Sequence, residues 1–186
     1  MQKKRDMAPL TILECGETDG NREILRWINR RRICVNLNIR WSKNIKIERK
    51  YDMERFYSAH RMDFDLALAE VSRGCKQSHW MWYIFPQIRG LGRSSTAQFY
   101  ALRDLEEARA FAADPVLGEN LRKITRALLD QPIRNAHAVF GGTDAMKLRS
   151  SMTLFELADP DCGLYARVLE EFFGGSRDLR TLDLLK

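Results

Sequence analysis

Three stretches of the chain hold residue types that can do chemistry. The first is KQSHWMWYIFPQ, residues 76–87, where Lys76, Ser78, His79 and Gln87 bracket an apolar run that includes Trp80 and Trp82. An imidazole can act as a general base near neutral pH, an ammonium can hold an anion, and an indole can stack on a flat ring. The second is IRGLGRSST, residues 88–96. Gly90 and Gly92 let the backbone approach a ligand, Arg93 brings charge, and a helix start near Ser94 offers unpaired N–H groups, which together suit an anion or phosphate. The third is GGTDAMKLRSSMTLF, residues 141–155. Asp144, Lys147 and Ser151 fall at i, i+3 and i+7 on one helix face, with Ser150 beside them.

Each stretch also has a plain structural reading. The aromatic run can be a core helix, the Gly-Leu-Gly segment an ordinary connection, and Asp144 with Lys147 a surface ion pair. Nucleophilic catalysis would need a base beside the nucleophile. His79, Lys147 and Ser151 are the catalytic candidates, but no spacing joins them and no reaction class is spelled out. The adjacent pairs Glu106–Glu107 and Glu170–Glu171 read as exposed helix faces rather than catalytic carboxylates. His60 lies on an apolar stripe and reads as a satisfied core histidine, and His137 carries no signal. Cys15, Cys34, Cys75 and Cys162 are scattered without metal-ligand spacing, so neither a metal nor a cofactor is implied, and a reducing, cytoplasmic setting is expected.

The elements that must position these residues are helices. In MERFYSAHRMDFDLALAEVSRG the apolar positions Phe56, Ala59, His60, Phe64, Ala67, Leu68 and Val71 follow a helical period, with Gly74 as a stop. Ser78 is placed to cap a second, short aromatic helix that Pro86 ends. Ser95 or Thr96, Asp104, Asp114-Pro115, Asn135, Thr143 or Asp144, and Pro160-Asp161 are expected to open further helices, with Gly141-Gly142 and Gly174-Gly175 as breaks. No strand-length alternation stands out. The expected fold is a compact all-α, multihelical single domain of about seven helical segments over residues 53–186.

The charge is uneven. Of a net +6, residues 1–50 carry 13 Lys/Arg against 6 Asp/Glu, whereas residues 51–186 carry 18 against 19. Residues 1–52 therefore read as a basic N-terminal extension, poorly ordered or arising from an upstream start, and any nucleic-acid contact would rest on residues 1–50 alone. The longest apolar run, Trp80 to Phe85, is too short to span a membrane.

From Met53 onward the chain resembles the family called domain of unknown function 1810, often labelled calpastatin-like. The resemblance is carried by MERFYSAH, GCKQSHWMWYIFPQIRGLGRSS, DPVLGENL and FGGTDAMKLRSSMTLF. It implies a compact multihelical fold and no established activity. The calpastatin label implies a disordered inhibitor and does not suit this helical chain. Family signature residues coincide with Lys76, Ser78, His79, Trp80, Gln87, Gly90, Gly92, Asp144, Lys147, Ser150 and Ser151, which suggests a site; the family's usual residue at position 60 is glutamine. The expected function is a cytoplasmic domain with a pocket for an anionic or phosphorylated small molecule, of nucleotide or NAD-derived type. The alternative is a non-enzymatic protein-interaction module whose motif residues are structural; the sequence names no protein partner.

Overall fold

The periodic segment after Met53 winds into α1, Glu54–Ser72, which buries Phe56, Ala59, His60, Phe64, Ala67, Glu70 and Val71 on one stripe. Steps of three and four residues put these side chains on one face of a 3.6-residue turn. Gly74, at φ 69°, then turns the chain away. The computed structural model describes residues 51–186. There the chain continues as α2 (Met81–Ile84), α3 (Ser95–Phe99), α4 (Leu105–Ala113), α5 (Leu117–Asp130), α6 (Ala136–Ala158), a 3-10 turn (Pro160–Cys162), α7 (Leu164–Phe173) and α8 (Leu179–Leu184). The described residues contain no strand. One isolated bridge, Ile88 to Leu102, ties the segment before α3 to the segment after it. The described fold is all-α, and its eight helices match the expected count of about seven helical segments.

Polar side chains start several of these helices. Asp104 accepts the Glu107 N–H at 2.8 Å to open α4. Asp114 accepts from the N–H groups of Val116 and Leu117 at 2.9 Å each, so Asp114-Pro115 opens α5 as its residue types require. Asn135 accepts from His137 and Ala138 to open α6. Gly141, at φ 74° and ψ 169°, then breaks α6 inside its span, in a backbone region that side chains with a Cβ avoid. Further on, Gly163 at φ 68° separates the 3-10 turn from α7, so the helix expected to run unbroken from Pro160 is two pieces.

The core is aromatic. Phe56 of α1 meets Phe111 of α4 edge-on at 5.0 Å; Phe111 meets Phe155 of α6 at 5.5 Å; Phe155 meets Tyr165 of α7 at 5.7 Å. A second group, Trp80, Phe85 and Phe140, joins the aromatic run to the first half of α6 at centroid distances of 6.3–6.4 Å. Trp80, Phe85, Phe56, Phe111, Phe155 and Tyr165 are all fully buried. Tyr51 is already part of this core. Of the expected extension, residues 1–52, residues 1–50 lie outside the described residues, whereas Tyr51 is buried in the core and Asp52 accepts the Glu54 N–H. Among the described residues no helix is long and apolar enough to cross a membrane.

One sequence reading is corrected here. Glu106 is exposed, but its neighbour Glu107 is buried. It pairs with Arg55 of α1 at 3.0 Å and accepts the Arg103 N–H at 2.7 Å. Adjacent helical positions point about 100° apart, so one can face water while the next faces the core.

Gly118 shows a second effect of packing. A Cβ there would stand 2.0 Å from the Ala112 carbonyl oxygen, because the first turn of α5 passes directly over the end of α4. Gly→Ala inside a helix ordinarily gains about 0.5–1 kcal/mol. Gly118→Ala is expected instead to lose roughly 1–3 kcal/mol by overpacking against backbone that cannot rotate aside. Chemical denaturation distinguishes the two signs.

Candidate functional site

The loop between α1 and α2 is organised around a residue that carried no sequence signal of its own, Glu70. Its carboxylate accepts from the Gln77 N–H (2.9 Å), the Ser78 N–H (3.1 and 3.2 Å), the Ser78 hydroxyl (2.5 Å) and the Trp80 indole N–H (2.8 Å). Burial pushes this carboxyl's pKa up, but the bonds from Ser78, Gln77 and Trp80 outweigh it and hold the pKa at about 2. Glu70 is therefore an ionised, buried anchor that fixes loop 77–80. Its position offered a clue: Ala67, Glu70 and Val71 share the buried stripe of α1, and a carboxylate there must find donors.

Beside this anchor stands a second cluster. The Lys76 N–H donates to the Val139 carbonyl at 2.8 Å, which ties the loop to the first half of α6. The Lys76 ammonium donates to the Ser78 carbonyl and pairs with Asp144 Oδ2 at 2.7 Å. Lys147 pairs with the other oxygen, Asp144 Oδ1, at 2.8 Å. The Lys76 side chain is 5% exposed, Asp144 19% and Lys147 20%. Each ammonium also lies over an indole, Lys76 over Trp80 at 4.8 Å and Lys147 over Trp82 at 4.4 Å. Burial raises the Asp144 carboxyl, yet hydrogen bonds from Lys147 and Lys76, with their charges, bring it below the usual carboxylate range. The break at Gly141 leaves Val139 and Phe140 on one side and Asp144 and Lys147 on the other, all in contact with residues 76–82.

The structure thus brings together Lys76, Ser78, Trp80, Trp82, Asp144 and Lys147. Trp82 is half-buried, and His79 is exposed, with its side chain hydrogen-bonded to no described residue. Ser78 was expected to cap the aromatic helix; its hydroxyl goes to Glu70 instead, and α2 begins after Trp80 without a side-chain cap. Ser150 and Ser151 are buried. The Ser150 hydroxyl donates to the Met146 carbonyl at 3.1 Å, and the Ser151 hydroxyl has no partner among the described residues. Neither hydroxyl bonds a histidine or carboxylate among those residues, so no nucleophile–base pair is formed.

The Gly-Leu-Gly segment packs its glycines on the chain's own side chains, while residues 93–96 are exposed. The Ser94 hydroxyl accepts the Ala97 N–H at 3.2 Å, capping α3 one residue earlier than expected. Gly90 faces the Leu184 methyls and Gly92 faces Ala97. Arg93 is exposed, and Gln87, half-buried, joins the fold through its carbonyl, which accepts from Leu102 N–H at 2.9 Å. His60 is buried and hydrogen-bonded through both ring nitrogens, as a core histidine should be.

The comparisons with known proteins agree with this architecture. No curated protein matches the chain. The crystal structure of the conserved hypothetical protein Rv1873 from Mycobacterium tuberculosis is similar, at 38% sequence identity and a TM-score of 0.71, over 73% of this chain and 96% of that one. The family model described as "Protein of unknown function (DUF1810)" matches residues 50–185. That span takes in the Glu70 anchor, both tryptophans and the Lys76–Asp144–Lys147 triad, and the chain belongs to the DUF1810 family.

Proposed function

We propose that the face formed by Lys76, Trp82, Asp144 and Lys147 binds a small anionic molecule with a flat ring, of nucleotide or NAD-derived phosphorylated type. One observation carries this reading: the part-exposed Lys147 ammonium lies over the half-buried Trp82 indole at 4.4 Å, which sets a cation next to a stacking surface, while Asp144 and Glu70 offset the nearly buried Lys76. Binding is the part proposed; among the described residues the serines of α6 bond no histidine or carboxylate. A cytoplasmic location fits Cys75 and Cys162, both free thiols.

A thermal-shift titration with AMP and ADP-ribose tests it. A ligand at a hundredfold excess over its dissociation constant should add about 2.7 kcal/mol of stability. Lys147→Met should weaken that binding about tenfold or more, the value of a charge-assisted contact. If neither compound shifts the melting temperature, the reading fails.

The second reading, an interaction module without a ligand, is favoured by a different observation. Glu70 is already saturated by internal donors, so part of the motif serves the fold alone. It predicts no ligand response together with a stoichiometric protein partner in pull-down.

A further inference from the structure

A cleft of about 370 Å³ opens between α1 and α5, lined by Tyr57, His60, Arg61, Phe64, Asp65, Val116 and Asn120. Its volume falls in the range of small-molecule pockets, roughly 300–1,000 Å³. It shares none of the residues of the face described above.

The chemistry of its lining follows from His60. A carbonyl only accepts, so the 2.8 Å contact between His60 Nε2 and the Tyr83 carbonyl requires the proton on Nε2. Nδ1 is then an acceptor, and the Asn120 amide must point its Nδ2 toward it, at 3.1 Å. Burial keeps the imidazole neutral, shifting its pKa down against the smaller opposing effects of Tyr83 and Asp114. The Asn120 amide is thus held in one orientation, with one N–H spent on His60. Its carbonyl oxygen and second N–H have no partner among the described residues. The remaining walls are flat or apolar: the stacked rings of His60 and Phe64, parallel within 6°, the Tyr57 ring, whose hydroxyl donates to Asp114, and the half-exposed Val116. At the mouth Arg61 and Asp65 carry opposite charges, so the lining offers no net charge to attract a phosphate.

We propose that this cleft is a second small-molecule site, which takes an uncharged planar heterocycle presenting a donor and an acceptor side by side, as a lactam edge does. A side-chain amide with one N–H and its oxygen available is the complement of such an edge, as in bidentate recognition of a nucleobase.

Protein-observed NMR titration with uracil, against pyrimidine as the same ring without the lactam, tests the proposal on the full chain. Uracil should saturate with a Kd on the order of 1 mM, reasonable for a ligand of so few atoms, and shift the resonances of Tyr57, Phe64, Val116 and Asn120. Pyrimidine should bind at least tenfold more weakly. Asn120→Leu, which keeps size and loses both polar groups, should weaken uracil about tenfold. Val116→Trp, a change at an exposed rim position, should obstruct the cleft and weaken it similarly if Asn120→Leu proves unstable. Absence of saturation, equal binding of pyrimidine, indifference to these variants, or shifts confined to residues outside the cleft would each overturn the assignment. AMP failing at the Lys147 face leaves these outcomes unaffected, so the two proposals stand or fall separately.

Discussion

Glu70→Gln is expected to destabilise the protein by about 3 kcal/mol at neutral pH and to lower its melting temperature by roughly 10 °C. The carboxyl is held at about 2 against an ordinary 4.5, and each unit of difference between folded and unfolded states is worth about 1.4 kcal/mol. Glutamine keeps the shape but presents an NH2 where Gln77, Ser78 and Trp80 all offer donors, so at least one buried N–H loses its acceptor. The sign of the pH dependence follows from the depressed pKa. Glu70 contributes its full stabilisation above the unfolded value, near 4.5, and loses it as pH falls toward 2. The stability gap between wild type and Glu70→Gln, measured by urea denaturation, should therefore narrow between pH 5 and pH 2.5. A gap that stays constant over that interval would mean that the ionised carboxylate is not what holds loop 77–80.

The second large effect belongs to Asp144. Its removal leaves the nearly buried Lys76 ammonium without a counter-charge, and such losses run to about 3–5 kcal/mol. Asp144→Ala should fall in that range, and Lys76→Met in the same background should recover part of the loss. A double-mutant cycle between the two positions is expected to show a coupling above ~1 kcal/mol. An exposed Lys–Asp pair would give no more than ~0.5–1 kcal/mol for the single change and negligible coupling. If the Lys76–Lys147 face binds anions, Asp144→Ala should also tighten AMP binding, since both cations then lack their shared carboxylate. A structural role alone predicts instability with no gain in affinity.

Much of the architecture is legible in the sequence. The stripe from Phe56 to Val71 marks α1 because a helix repeats every 3.6 residues and the core selects one face. Asp104, Asp114-Pro115 and Asn135 announce helix starts because their side chains supply acceptors that the first turn lacks. Gly141 marks the break in α6 because only glycine adopts its backbone angles readily. These are local signals, written in neighbouring residues.

The candidate site was legible only in part. Lys76, Trp82, Asp144 and Lys147 stand out by residue type, and the fold joins them. Glu70 has no signal among its sequence neighbours, yet it receives four groups from the following loop. Glu107 looked exposed with Glu106, until Arg55 and Arg103 converged on it. Ser151 looked available, and packing sealed it inside. What the amino-acid order determined by itself is the all-α class, most helix limits and a short roster of chemically capable residues, since these depend on interactions a few residues apart. Which of those residues meet, which are ionised in the interior and which are shut away was decided by the tertiary structure alone. Lys76 meets Asp144 and Arg55 meets Glu107 across tens of residues, and Glu70 meets its donors only because the chain turns back after α1, so the packing and turning of whole helices sets those distances.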